Sequence, residues 1–226
     1  MTNTMKRILV AGGMIAIAAI AGVLEYLDLP ALQWLAVVVV AGMAVEFSVC
    51  AKRKLKTQKS KDAIPTYYLL FALCYLLFLV VAAWHVGAYP WLLVLLLLII
   101  SAADIGGWLF GSIIGGDKMW SALSPGKTWS GQIAGIACGT IAAVLYGFIG
   151  TAFEAGHLDH GQFMPQLLWI GISISLLSQY GDLAASAVKR RMGIKDFSNI
   201  LPGHGGLLDR FDGWIFVLPF IWLVMI

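Results

Sequence analysis

The chain has 226 residues, of which 60% are hydrophobic and 12% are charged, and its formal net charge is +3. Because a soluble domain carries about a quarter charged residues, this composition excludes a soluble globular protein. The basic residues form no continuous domain, so they indicate loops at a membrane surface and no nucleic-acid partner. The three cysteines lie in or beside apolar runs without metal-ligand spacing, and we interpret them as small buried hydrophobes.

Seven apolar segments follow one another along the chain. They cover residues 8–24, 30–50, 64–84, 91–115, 131–153, 166–188 and 212–226. Most approach or exceed the ~20 residues that cross a hydrocarbon core as a helix. Backbone groups in lipid need internal partners, and the run "WLLVLLLLII" lacks the alternation of a barrel strand. The sequence therefore predicts an all-α, polytopic integral membrane helix bundle with about seven transmembrane helices.

The distribution of lysine and arginine predicts the orientation of this bundle. With the N-terminus inside, all fifteen basic residues fall on one side, six of them in the loop 51–62. The first apolar segment is longer than the about 7–15 residues usual in a signal peptide, so we expect it to be retained. The loops are short, so we expect the chemistry at the cytoplasmic side of an integral membrane protein, in a bacterial inner membrane.

A first polar constellation lies in and after the fourth apolar segment. Asp104 stands inside that segment, where a carboxylate is costly and by default a functional candidate. Gly107 and Gly111 fall on roughly the same helical face, and both close helix packing and ligand contact remain open for them. The segment is followed by a predicted polar turn that contains Ser124, Lys127 and Thr128.

A second constellation lies near the end of the sixth segment. Asp182, Ser186 and Lys189 fall at i, i+4 and i+7 of a predicted helix and so form one polar stripe. Such a stripe at the end of a span faces a cavity or the interior of the bundle. An intrahelical polar network is the alternative, although the basic residues that follow, beginning with Arg190, fit it less well.

The third constellation is the run "PGHGG" at residues 202–206. Its glycines predict a loop whose backbone N–H groups approach an anion closely. From Leu207 onward we expect a helix, on which Asp209 and Asp212 share one face. Two adjacent carboxylates repel each other unless a cation or a proton lies between them. Oxygen ligands without cysteine, beside a loop suited to phosphate, indicate Mg²⁺.

Together these motifs resemble those of phosphatidate cytidylyltransferases. The run "SAVKRRMGIKDFSNILPGHGGLLDRFD" (186–212) matches every fixed position of the family pattern, which is S-x-x-K-R, then K-D, then P-G-H-G-G-x-x-D-R-x-D. Upstream, "SPGKTWSG" and "GDLAAS" resemble two further family motifs. The resemblance covers about residues 100–226 and divides the chain into N-terminal membrane helices (1–100) and a catalytic membrane region (101–226). Three positions depart from the family, which usually has Lys, Glu and Glu where this chain has Gly126, Ser130 and Ala185.

The resemblance implies that CTP and phosphatidate react to give CDP-diacylglycerol and pyrophosphate, with Mg²⁺ as cofactor, two cations per site and a homodimer. The implied metal ligands are Asp182, Asp209 and Asp212. The residues expected to act on phosphates are Lys189, Arg190, His204 and Arg210; for His204, a role in shaping the loop stays equally open. The residues expected to contact or support the substrates are Asp104, Ser124, Lys127, Thr128, Ser186, Gly205 and Gly206.

Two alternatives remain open at the level of sequence. One is a cytidylyltransferase that acts on another lipid phosphate, such as an ether or isoprenoid one. The other is a membrane transporter or scaffold without enzymatic activity, which the clustering of polar residues on one side disfavours. A CDP-alcohol phosphotransferase is disfavoured because its D-G-x-x-A-R motif is absent. The stretch from Asp212 to the chain end spans only ~22 Å as a helix, so we expect the site to be recessed in the cytoplasmic leaflet.

Overall fold

The computed structural model describes residues 3–57, 66–121, 123–153, 160–203 and 205–226. Those residues form seven helices and one small hairpin, which confirms the predicted all-α class. The helices are α1 (Asn3–Tyr26), α2 (Ala31–Thr57), α3 (Thr66–Gly87), α4 (Pro90–Ile114), α5 (Trp129–Phe153), α6 (His160–Arg191) and α7 (Trp214–Met225). The strands are β1 (Lys118–Trp120) and β2 (Ser124–Thr128).

Six of these helices, α1 to α6, are long and apolar enough to cross a membrane, so the chain is an integral membrane protein by helix length and composition. The seventh, α7, is apolar but has only 12 residues. At ~1.5 Å per residue it rises about 18 Å, well short of a hydrocarbon core of ~30 Å. The predicted seventh segment is therefore a helix, and a shorter one than residues 212–226 suggested.

The helix expected from Leu207 onward is wrong. Residues 207–213 form successive turns, and the helix begins only at Trp214. Arg210 N donates to Leu207 O and Trp214 N to Phe211 O, both at 3.0 Å. Bonds across three residues are those of tight turns, and Gly213 is a poor helix former. Asp209 and Asp212 consequently lie on these turns.

The polar turn expected after α4 is also corrected by the structure. Strands β1 and β2 pair antiparallel, with Lys118 opposite Thr128 and Trp120 opposite Ser124. Strands of three and five residues are too short for a period of two to show in the sequence. Ser124, Lys127 and Thr128 therefore project from a strand, β2.

The chain folds as two compact units, and the first joins Met1–Pro90 with Ala187–Ile226. In this unit α7 packs on α3: Tyr75 Oη donates to Ile215 O at 2.9 Å, and the rings of Phe78 and Trp222 lie 5.0 Å apart. Its buried core includes Met43, Phe47, Leu79, Val86, Leu208 and Val217. Because the core draws on both ends of the chain, residues 187–226 depend on the N-terminal helices for their position.

The second unit comprises Trp91–Ser186. In it α4 and α5 approach closely at glycines: a Cβ on Gly131 would lie 2.6 Å from Gly107 O and 3.2 Å from Gly111 Cα. Small residues permit such close helix packing. Of the two explanations open for Gly107 and Gly111, the structure supports packing. The predicted functional division at residue 100 rests on motifs and stays a prediction.

Candidate active site

A buried ion cluster forms where the end of α6 meets the turns before α7, within the first compact unit. Lys189 Nζ lies 2.8 Å from Asp209 Oδ1 and 4.0 Å from Asp212 Oδ2. The three side chains are only 12%, 5% and 16% exposed. The Lys189 ammonium also lies 5.6 Å from the centroid of the Phe197 ring. The two carboxylates predicted to share a cation thus share the charge of a lysine.

Asp209 pairs with Lys189 and also holds the glycine loop, which here means the chain from Phe197 to Gly206. Its Oδ2 accepts hydrogen bonds from the backbone N–H groups of Phe197, at 2.8 Å, and Gly206, at 2.9 Å. Gly205 has φ +84°, a left-handed conformation that favours glycine. One carboxylate therefore receives an ammonium and two backbone donors, which fixes both ends of the loop beside Lys189.

The neighbouring candidate residues differ in how far they are exposed to solvent. Asp212 accepts a hydrogen bond from Gly213 N at 2.9 Å on its Oδ1. Arg190 and Arg210 are exposed at the surface of the same unit. His204, for which a phosphate contact and a role in loop shape both stayed open, lies outside the described residues.

A second polar cluster joins β2 to α6 within the other unit. Lys127 Nζ lies 2.7 Å from Asp182 Oδ2 and donates to Gln179 O at 3.2 Å. Ser186 Oγ donates to Asp182 Oδ1 at 3.4 Å, across one turn of α6. The predicted stripe on α6 is therefore partly an intrahelical hydrogen-bond network. Lys127, on strand β2, forms an ion pair with one of its members, Asp182. Asp104 lies on α4 as predicted and is exposed.

Thr128 caps the start of α5, a structural role that its motif did not suggest. It is 4% exposed, and its Oγ1 accepts the N–H of Gly131 at 3.2 Å, which caps the start of α5. Ser130 Oγ lies 3.0 Å from Thr128 Oγ1 and donates to Gly115 O. Ser130, at a position where the family usually has Glu, thus links the hairpin to the end of α4. The predicted contact of Thr128 with CTP stays a prediction.

The other two departures differ in their surroundings. Ala185 is 3% exposed, so the larger acid usual in the family would be buried there. Gly126 has nothing within 4 Å of where a Cβ would stand, so a side chain could begin there without a clash.

Sequence reasoning missed one residue beside this site, Glu46 on α2. Its side chain is buried, and it accepts the N–H of Leu208 at 2.7 Å and the hydroxyl of Ser198. A lone acid within an apolar helix is a signal that should have drawn attention to it.

The donor chemistry of the aspartates suits Mg²⁺, which prefers hard carboxylate oxygens. Within the described ranges, however, no group of three or more His, Cys, Asp or Glu residues comes close enough together to hold a metal ion. Asp182 belongs to one compact unit, and Asp209 and Asp212 belong to the other. Metal binding by these three residues therefore stays a prediction.

Comparison with known proteins places the chain. The cytidylyltransferase family matches residues 1–226, so the chain belongs to that family. Proteins named phosphatidate cytidylyltransferase are similar to it: 39% identical over 129 residues in Staphylococcus haemolyticus (strain JCSC1435) and 41% over 131 residues in Staphylococcus aureus (strain COL). Each alignment covers 57% of this chain and 46% of the relative. The chain spans about half the length of the curated relatives it matches, and the predicted resemblance to the family is confirmed.

Proposed function

We propose that this protein transfers CMP from CTP to phosphatidate, giving CDP-diacylglycerol and pyrophosphate in phospholipid biosynthesis. The observation that carries the proposal is the buried cluster of Lys189, Asp209 and Asp212, three signature residues within 4.0 Å of one another through the lysine. Buried charge at the end of an apolar helix is costly and marks functional sites in membrane proteins. The names of the relatives supply the substrates.

The proposed reaction is a displacement at phosphorus. An oxygen of the lipid phosphate forms a bond to the α-phosphorus of CTP, and the bond from that phosphorus to the bridging oxygen breaks, releasing pyrophosphate. Both substrates are anions, so they repel strongly where the dielectric is low. Catalysis of this type requires positioning and positive charge, and no covalent enzyme intermediate is needed. The lipid phosphate is already ionised, so it needs no strong general base.

Each site residue has a proposed part in this displacement. Lys189, with Arg190 and Arg210, contacts the phosphates and offsets their charge. Asp209 holds the loop through the N–H groups that it accepts, one of which is that of Gly206. We propose that the backbone of Gly205 faces a phosphate, and that Gly206 would do so only by releasing Asp209.

Lys127 and Ser186 flank Asp182 in the second cluster, where we propose they assist in holding CTP together with Ser124 and Thr128. Mg²⁺, with two cations per site, is proposed from the family resemblance, and Asp209 and Asp212 are the carboxylates of the first unit that would hold it. When bound, the metal supplies positive charge to the attacking and leaving oxygens. Asp104 supports the polar surroundings of the second cluster from α4.

We propose that the reaction takes place at the cytoplasmic face of a bacterial inner membrane, where CTP arrives from water and the lipid arrives within the bilayer. The basic residues at the C-terminal ends of α2 and α6, and in the chain that follows each helix, support this orientation. Formation of a homodimer is proposed from the family resemblance.

The test is an assay of the full chain, purified in detergent, with labelled CTP, Mg²⁺ and phosphatidate. We expect a cytidine product that partitions with lipid, and we expect Asp212→Asn to abolish it. Asp28→Asn is the matched control, because Asp28 is exposed and remote in sequence from every motif.

The same assay with ether and isoprenoid phosphates separates the alternatives. A product formed only with one of these would replace phosphatidate as the substrate. Absence of product with every lipid phosphate contradicts the enzymatic proposal and favours a transporter or scaffold.

A further inference from the structure

Glu46 is a buried acid in a part of the chain that carries no motif of the family. It is the one acidic residue of α2, and it lies within the apolar window Ala31–Arg53. Glu46 as a whole residue is only 3% exposed. A carboxylate in such a position needs hydrogen-bond donors to compensate for the loss of water. The identity of those donors indicates what Glu46 does.

The donors come from the far end of the sequence. Leu208 N donates to Glu46 Oε2 at 2.7 Å, and Ser198 Oγ donates to Glu46 Oε1. Ser198 Oγ in turn accepts the N–H of Ile200 at 3.1 Å. One carboxylate on α2 therefore fastens the segment 198–208 at both of its ends, more than 150 residues away along the chain.

The backbone of the glycine run rests directly on this carboxylate. A Cβ at Gly206 would lie 2.7 Å from the carboxyl carbon of Glu46. A side chain at Gly206 would therefore have to displace the Glu46 carboxylate, whereas its neighbour Gly205 adopts a positive φ. The N–H of Gly206 points to the other acid of the loop, Asp209. The loop is thus held between Glu46 on one side and Asp209 on the other.

The same face of α2 receives the rest of the segment. A Cβ on Gly42, one turn before Glu46, would lie 2.7 Å from Leu207 Cδ2, so the leucine packs against bare helix backbone. The rings of Phe47 and Phe197 lie 6.2 Å apart. Apolar contacts thus surround the carboxylate and keep water from competing for its hydrogen bonds.

We propose that Glu46 is a positioning residue that holds the glycine loop and Asp209 in the arrangement needed for nucleotidyl transfer. This inference rests on the proposed function for its catalytic part, and on the loop contacts alone for its structural part. Asp209 accepts Gly206 N and pairs with Lys189, so a shift of the loop carries both charged groups with it. A displacement of about 1 Å at a reacting site lowers rates as much as a hundredfold.

The experiment measures loop order and activity separately in the full chain. Glu46→Ala is compared with Glu46→Gln and with Val45→Ala, whose side chain is on the outer face of the same helix and is 63% exposed. Hydrogen–deuterium exchange followed by mass spectrometry reports protection of peptides from residues 197–208 and from α3. Transfer from labelled CTP reports kcat and KM.

We expect Glu46→Ala to accelerate exchange in the loop about tenfold while α3 keeps its protection. We expect kcat to fall about tenfold or more, with a smaller change in KM for the lipid. Glu46→Gln should restore part of both, because its amide oxygen still accepts the N–H of Leu208. Val45→Ala should resemble the original chain.

Unchanged loop exchange in Glu46→Ala overturns the inference. Accelerated exchange with unchanged kcat overturns the positioning role. Loss of protection in α3 as well would mean that Glu46→Ala unfolds the protein more widely. In that case Glu46→Gln decides: relative to the original chain, it must show faster loop exchange and a lower kcat. Faster loop exchange in a chain that forms no cytidine lipid at all refutes the proposed function and leaves the loop contact established.

Discussion

In residues 186–212, which match the family pattern, Lys189 supplies positive charge to the buried carboxylates of Asp209 and Asp212. Its ammonium is 2.8 Å from one buried carboxylate and 4.0 Å from a second. Buried charges are tolerated only with close partners, since desolvation of each is expensive. Lys189 therefore stabilises the loop in addition to any contact it makes with substrate phosphates.

Removal of this charge should destabilise the protein. We expect Lys189→Met to lower the free energy of unfolding by about 3 kcal/mol, because the Asp209 carboxylate stays buried without its ammonium. Thermal unfolding in detergent should show a decrease in Tm of about 10 °C.

The double variant Lys189→Met with Asp209→Asn is the control for this effect. We expect it to lose less stability than the sum of the two single variants, because position 209 no longer holds a carboxylate without its ammonium. Strict additivity of the two losses would contradict a direct ion pair.

At this scale, helical spacing predicted that Asp182 and Ser186 lie on one helical face. The hydrogen bond between them belongs to the intrahelical alternative that the sequence left open. The resemblance singled out Lys189, Asp209 and Asp212, whose side chains lie close together, and their part in a site stays a prediction. The contacts of Glu46 were not predictable, since they join residues more than 150 positions apart and no local period records them.

At the scale of elements, apolar length predicted the membrane helices well, because a bilayer imposes a minimum span. The hairpin β1–β2 was missed because its strands are too short to show alternation. The start of α7 was placed too early, because the spacing of Asp209 and Asp212 suits turns as well as a helix. Hydropathy thus predicts where the long helices lie. The short polar elements, such as the hairpin, depend on tertiary contacts that hydropathy does not record.

The contact between α4 and α5 supplies a test at this scale. In Gly131→Ala the new methyl group would meet Gly107 O and Gly111 Cα, which are backbone atoms that move only with their helix. We expect a loss of about 2 kcal/mol of stability from this overpacking, measured as a lower Tm.

Gly12→Ala is the matched control, because Gly12 is also helical but has nothing within 4 Å of its missing Cβ. There alanine should leave stability unchanged or raise it by about 0.5 kcal/mol through its better helix propensity. Equal effects at both positions would show that the two helices separate easily.

At the scale of the whole molecule, the burial of the charged residues bears on where the site lies in the bilayer. The side chains of Asp209 and Asp212 are only 5% and 16% exposed, so we expect the turns that carry them to lie below the headgroups. A recessed site would admit a lipid phosphate from the side and CTP from water. The order of charged loops predicts which face this is.

Labelling with a membrane-impermeant maleimide tests this placement. After replacement of the native cysteines, Asp196→Cys should react about tenfold faster than Asp209→Cys in inside-out vesicles, since Asp196 is exposed and the Asp209 side chain is not. Ile226→Cys should react only from the opposite face. Equal rates at positions 196 and 209 would contradict a recessed site.

The close fit between Gly206 and Glu46 constrains how this protein can change over time. A methyl group at position 206 would meet the end of the Glu46 side chain, so it would have to displace that carboxylate from Leu208 and Ser198. We therefore expect a larger residue at position 206 to cost less where residue 46 is shorter.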